Sequence, residues 1–274
     1  MDFFGSWAAA RLTAAARLAA ATLLAGVLAG CATRIEPAAP GTAPRLRMQN
    51  GGLAPGSGGA LVQADSLLPG DILLSSGSGI ASSGIQLFTV APVSHAAIYL
   101  GNGQIVEAVG KGVRLRSLQD ALDDESVVAA FRHPQTTAES AALVGAFVLS
   151  KVGAPYNHLG VLLHAPFAVQ RRICELPLVP GPVREFCVRG VATVQMGFSS
   201  NDRFFCSQLV LEAYRQAGIS ITSADPRWVS PADLLHMREG DVPSIAPKQP
   251  LQYVGHLKYT APPAQAAQAA LDAS

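Results

Sequence analysis

A cysteine, a histidine and a glutamate have the types and spacing to do chemistry together. Cys206 stands in Arg203-Phe204-Phe205-Cys206-Ser207-Gln208-Leu209-Val210, at the start of a segment with helical spacing. Free N–H groups and the dipole at a helix N-terminus favour an anion, and the thiolate is the form of cysteine that attacks a carbonyl carbon. His95 opens the strand-like run Ser94 to Leu100, where its imidazole could face such a helix as a general base. Glu107 lies in the next run, Gln104 to Val109, and the loop between the two runs sets its face. A two-residue turn at Asn102-Gly103 pairs Glu107 with Ile98 and points it away from His95. With Gly101, Asn102 and Gly103 all in the loop, Leu100 pairs with Gln104 and Ala97 with Glu107, which then lies one diagonal step from His95. The three-residue loop, the type that commonly carries a G1 bulge, is the expectation. The trio then reads as nucleophile, base and orienter for acyl transfer. Taken singly, Cys206 could be a core residue and Glu107 a surface carboxylate.

Other residues have narrower roles. Tyr156 could donate its hydroxyl to the site or line the cleft, or simply pack as an aromatic. Asp71 should organise a turn, and Gln208 should lie on the helix surface. Six histidines are scattered, and the nearest pair, His158 and His164, sits on a Gly-interrupted segment without metal-site spacing, so no metal is expected. The stretch GSGIASSG at 77–84 lacks a Walker lysine and a dinucleotide fingerprint, so no cofactor is expected and a loop near the cleft is. Cys174 and Cys187, thirteen residues apart, could close a disulfide in an oxidising compartment.

The elements that must position these side chains read as a set of strands and a set of helices. Leu68-Pro69-Gly70-Asp71 reads as a turn feeding a strand over Ile72 to Leu74. The runs Gly112 to Leu115, Val127 to Arg132 and Leu251 to Tyr259 also read as strands, whereas Thr137 to Val152 and Phe205 to Ala217 have helical spacing. Ser230-Pro231-Ala232-Asp233 supplies a cap for a short helix reaching His236. Strands and helices are mostly segregated, which predicts an α+β fold with an antiparallel sheet packed against helices. The segment 157–200 stands apart as an apolar insertion, with a lid, a groove wall, a membrane contact and extra core as its possible uses.

Composition bounds the setting. The 274 residues are 49% hydrophobic and 14% charged, with 20 basic and 19 acidic side chains, a balance unlike that of a general nucleic-acid binder. Arg11 and Arg17 precede the apolar run Leu18 to Ala29, which is too short to cross a hydrocarbon core of about 30 Å. The run ends in Leu28-Ala29-Gly30-Cys31, which resembles the lipobox of bacterial lipoprotein precursors. That resemblance implies a signal peptide over 1–30, lipidation of Cys31 and, with Ala32 following, an outer-membrane anchor facing the periplasm. Residues 31–60 are Ala/Pro/Gly-rich and read as the lipidated cysteine with a flexible tether, 61–260 as one domain, and 261–274 as a low-complexity tail.

Three stretches carry a wider resemblance. SHAAIYLGNGQIVEAV (94–109), PGDILL (69–74) and FFCSQLVLEAYRQAGI (204–219) resemble the His hairpin, strand start and nucleophile helix of the NlpC-type cell-wall peptidase superfamily. Their order is reversed, because Cys206 follows His95 by 111 residues, and APYNHLG (154–160) and SPADLL (230–235) are also similar to the circularly permuted papain-like branch typified by YiiX and YaeF. The resemblance implies a permuted papain-like fold and a cysteine amidase or peptidase, with Cys206 as nucleophile, His95 as base and Glu107 as orienter. It implies a peptidoglycan peptide or a lipid-like acyl amide as substrate, held at the envelope through Cys31. A module of the same fold that binds peptide or lipid without chemistry is the competing reading.

Overall fold

The computed structural model describes residues 32–36, 45–48, 59–77, 93–175, 179–196, 203–238 and 244–260. The signal segment, Cys31, the Gly-rich loop beyond Gly77 and the tail after Thr260 lie outside them. Within the stretch expected to be tether, β1 (Ala32–Glu36) and β2 (Arg45–Met48) pair antiparallel. Short runs containing β-branched and aliphatic residues flank a Pro/Gly segment, a hairpin pattern, although two strands alone are only marginally stable.

The remaining strands are β3 (Ile72–Gly77), β4 (His95–Gly101), β5 (Gln104–Val109), β6 (Gly112–Ser117), β7 (Glu125–Arg132) and β8 (Gln252–Tyr259). They form one antiparallel sheet in the order β6-β5-β4-β3-β7-β8. Six α-helices accompany it among the described residues: α1 (Leu118–Asp124), α2 (Ala138–Ser150), α3 (His158–Cys174), α4 (Gly181–Met196), α5 (Cys206–Gln216) and α6 (Pro231–His236). Strand alternation sorts the side chains onto two faces. Ile72, Leu74, Ile98 and Val106 meet Val144 and Val148 of α2 and Leu209, Val210 and Tyr214 of α5 on one face. Leu73, Tyr99, Ile105 and Val128 pack with Leu67, Leu118 and Ala121 on the other. Each fully buried Ile or Leu in these layers contributes about 1.5–3 kcal/mol by leaving water.

Local chemistry fixes the ends of these elements. Asp71 accepts from Leu68 N–H at 2.8 Å and from both Nε and Nη2 of Arg132 at 2.7 Å, locking the turn into β3. The Tyr214 hydroxyl of α5 donates to Gly70 O, fastening the same turn to the helix layer. Thr137 with Ser140, and Ser230 with Asp233, form capping boxes that start α2 and α6. The β4–β5 connection differs from the expected three-residue loop. Gly101 pairs with Gln104 across a two-residue Asn102-Gly103 turn, and the odd residue is absorbed as a bulge at Leu100. Asn102 at φ 51 and Gly103 at φ 69 take the left-handed conformations of a hairpin turn whose twist matches the strands. The bulge restores the register, so Ala97 still pairs with Glu107.

The insertion is a helical hairpin, α3 and α4. Cys174 and Cys187 are disulfide-bonded across it, with Cα atoms 5.7 Å apart. Phe167, Cys174 and Val188 pack with Cys187 and Trp228, so the hairpin has its own small core against the body of the domain. Arg171 donates from Nη1 to Asp233 Oδ2 at 3.0 Å and from Nη2 to Oδ1 at 2.5 Å, joining α3 to the capping residue of α6. Burial opposes the Arg171 charge, but Asp233 and Glu175 raise its pKa further; Asp233 is held below the ordinary carboxylate range against its own burial, chiefly by Arg171.

Candidate active site

The sulfur stands where a chain with no side-chain cap begins to wind. Cys206 is the first residue of α5, and its N-cap, Phe205, makes no side-chain bond to the exposed N–H groups of the first turn. α5 packs across β4 and β5, which brings the start of the helix to the start of β4. There His95, partly exposed, hydrogen-bonds with Cys206 on one side and Glu107 on the other. Its Nε2 donates to Glu107 Oε2 at 2.8 Å, across the diagonal that the β4–β5 register creates. Burial works against the imidazolium, but the hydrogen bonds from Cys206 and Glu107 and their charges raise His95 from 6.5 to about 10.

Glu107 is itself almost wholly buried, with its side chain 3% exposed. A buried carboxylate keeps its charge only if its oxygens are satisfied. Arg114, the register partner of Glu107 on β6, donates from Nε to Oε1 at 2.8 Å, and Nη1 of Arg116 lies 3.5 Å from the same oxygen. Burial raises the carboxyl, yet the hydrogen bond and charge of His95, followed by those of Arg114, lower it from 4.5 to about 2. Sequence reasoning missed both arginines; the signal was the alternation in Val113-Arg114-Leu115-Arg116, which puts two cations on one face of the strand beside Glu107. It also missed Glu125, whose buried Oε2 has no partner and whose carboxyl is raised by burial against the opposing charge of His95.

Tyr156 forms the neighbouring wall. A bridge to Phe204, Asn157 N–H donating to Phe204 O at 3.1 Å and Phe204 N–H to Pro155 O at 3.3 Å tie its loop to the residues just before Cys206. Burial raises the Tyr156 hydroxyl, and the charge of Cys206 raises it further, so it remains a donor. The loop is set by Gly112 at φ 121, where a Cβ would lie 2.5 Å from Ala154 O; Val113 N–H instead donates to that oxygen at 2.9 Å. Gln208 does not lie on the helix surface. It is 5% exposed, and its Oε1 is buried without a partner, on a helix against which the Pro226–Trp228 turn packs. Asp71 lies in the turn before β3, where it is spent on Leu68 and Arg132. Among the described residues no group of three His, Cys, Asp or Glu side chains is arranged to hold a metal ion.

Residues 66–160 match the family described as permuted papain-like amidase enzyme, YaeF/YiiX, C92 family. Over 200 residues the chain is 40% identical to the probable lipoprotein peptidase YaeF of Escherichia coli strain K12, covering 72% of this chain and 73% of that protein. A crystal structure described as metalloprotein yiiX from Escherichia coli O157:H7 aligns with 69% of this chain and 89% of its own, at 18% identity and a TM-score of 0.39.

Proposed function

The chain belongs to the YaeF/YiiX family of permuted papain-like amidases and is a papain-like peptidase or amidase, and from that premise we propose that Cys206, His95 and Glu107 form its catalytic triad, held at the cell envelope by a lipid on Cys31. The observation that carries this reading is His95 bonded on one side to a buried, doubly cationic-clamped Glu107 and on the other to the first residue of α5. The Cys206 thiolate attacks the carbonyl carbon of an amide or ester, and the electron pair moves to the carbonyl oxygen. The Cys206 backbone N–H and the Tyr156 hydroxyl are the donors available to that oxyanion. His95 gives its proton to the leaving amine or alkoxide as the tetrahedral intermediate collapses to a thioester. It then takes a proton from water, whose oxygen attacks the thioester and releases the acid and the free sulfur. Glu107 keeps the ring oriented and its Nε2 protonated throughout.

The substrate is an amide carried by a peptidoglycan stem peptide or by a lipid-like acyl compound, and the apolar hairpin favours the second. The lipobox at Leu28 to Cys31 and the YaeF relative's description as a lipoprotein support the lipid anchor, Ala32 in the position after Cys31 is the ground for placing it in the outer membrane, and residues 61–260 are proposed as the catalytic domain.

Alkylation by iodoacetamide at pH 7, with mass spectrometry locating the adduct, tests the triad without a known substrate. Cys206 should be labelled rapidly in the native protein and at least about tenfold more slowly in His95→Ala, with Glu107→Gln between them. Equal labelling of all three proteins, each shown to be folded by circular dichroism, would remove His95 from the mechanism.

A further inference from the structure

The helical hairpin has two unlike sides. One is committed to the domain through Phe167, Val188 and Arg171. On the other, Leu159, Leu162 and Ile173 of α3 and Val183 and Phe186 of α4 are 48%, 71%, 62%, 55% and 81% exposed. These are five of the eleven large apolar side chains that the described residues leave exposed.

Helical geometry places the five together. At about 100° per residue, Leu159, Leu162 and Ile173 fall within one narrow stripe of α3, as do Val183 and Phe186 on α4. The disulfide fixes how the stripes relate, because Cys174 and Cys187 point at one another. In two helices packed antiparallel, the residue just before each bridged cysteine turns to the same side, so Ile173 and Phe186 share one face and carry their stripes with them. Monomeric proteins seldom gather exposed apolar side chains in this way without a partner.

We propose that this face docks on a lipid bilayer. The proposal rests on the lipid-anchored reading above. The occupant follows from where the chain before the domain ends: Cys31 lies 28 residues before Gly59, the first described residue of the domain. A lipid there holds the domain permanently within tens of ångströms of a membrane, where the encounter of an apolar face with acyl chains is no longer limited by diffusion. Docking also sets orientation. α3 begins two residues after Tyr156, so a hairpin lying in the interface holds that wall of the active site at the bilayer surface, facing substrates that carry acyl chains.

The full lipidated chain, reconstituted into phosphatidylethanolamine and phosphatidylglycerol vesicles whose acyl chains carry bromine, tests this by tryptophan quenching. Phe186→Trp should lose roughly half its added fluorescence, as for a side chain sunk about 5–10 Å below the headgroups, whereas Gln119→Trp on α1 should lose none. A Phe186→Trp signal as insensitive as Gln119→Trp, in protein that floats with the vesicles, overturns the docking face and leaves the anchor standing. Protein that does not float with the vesicles overturns the anchor, and the docking face with it.

Discussion

His95 sits between two groups that both favour its charged form, and this makes its behaviour with pH specific. Its pKa is raised from 6.5 to about 10, so its contribution to stability is complete below 6.5 and is lost as pH rises through about 10. Glu107 is lowered from 4.5 to about 2, so its contribution is present above 4.5 and is lost as pH falls through about 2. Thermal melts of the native protein and Glu107→Gln should therefore differ most between those windows and converge toward pH 2. Catalytically, His95→Ala should lower kcat/KM on a cleavable amide by about 10²–10⁴. Glu107→Gln should cost less and move the alkaline limb of the pH–rate profile to lower pH, because the imidazolium loses one of its anionic neighbours. An unmoved alkaline limb would mean that Glu107 does not act through His95. The shared face of His95 and Glu107 was legible in the sequence from the two-residue strand period, although the bulge at Leu100, and not the expected three-residue loop, sets the Ala97–Glu107 register; Cys206 was legible only as the start of a helical run. Arg114 and Arg116 were not, because arginine alternating on an edge strand looks like an ordinary solvent face until the β5–β6 register sets it beside a buried carboxylate.

The strands and the helices around the site follow from local pattern, but the α3–α4 hairpin does not. Pro166 lies inside α3 and Gly190 inside α4, where propensity argues against a helix, and the large apolar residues fall on both the docked and the exposed side. Tertiary contacts decide the matter, chiefly the disulfide and the buried Arg171–Asp233 pair. Asp233 also caps α6 through Ser230, so its charge serves two elements at once. Asp233→Asn should cost about 3–5 kcal/mol in urea unfolding, since it leaves the Arg171 guanidinium buried without its counter-charge. A loss below about 1 kcal/mol would show that the hairpin stays docked without the pair. The turn after β4 was misread by one residue for a related reason: counting loop residues cannot say whether an odd one sits in the turn or in a strand, and the Asn-Gly conformational preference puts it in the strand.

For the whole molecule, the permuted order means that His95 and Glu107, the proposed base and orienter, come from the first half of the domain and Cys206, the proposed nucleophile, from the second. It also fixes the sequence of sulfurs. A chain entering an oxidising compartment N-terminus first delivers Cys174, then Cys187, then Cys206, so the first two can bond before the third arrives. Replacing Cys187 with serine leaves Cys174 waiting when Cys206 emerges. Cys187→Ser alone should therefore lose more free Cys206 thiol, measured by alkylation without reductant, than the double Cys174→Ser, Cys187→Ser protein, and dithiothreitol should recover the lost thiol. The bridge in the hairpin thus works as a chaperone written in order of arrival: by pairing Cys174 with Cys187 before Cys206 emerges, it leaves the Cys206 thiol unspent.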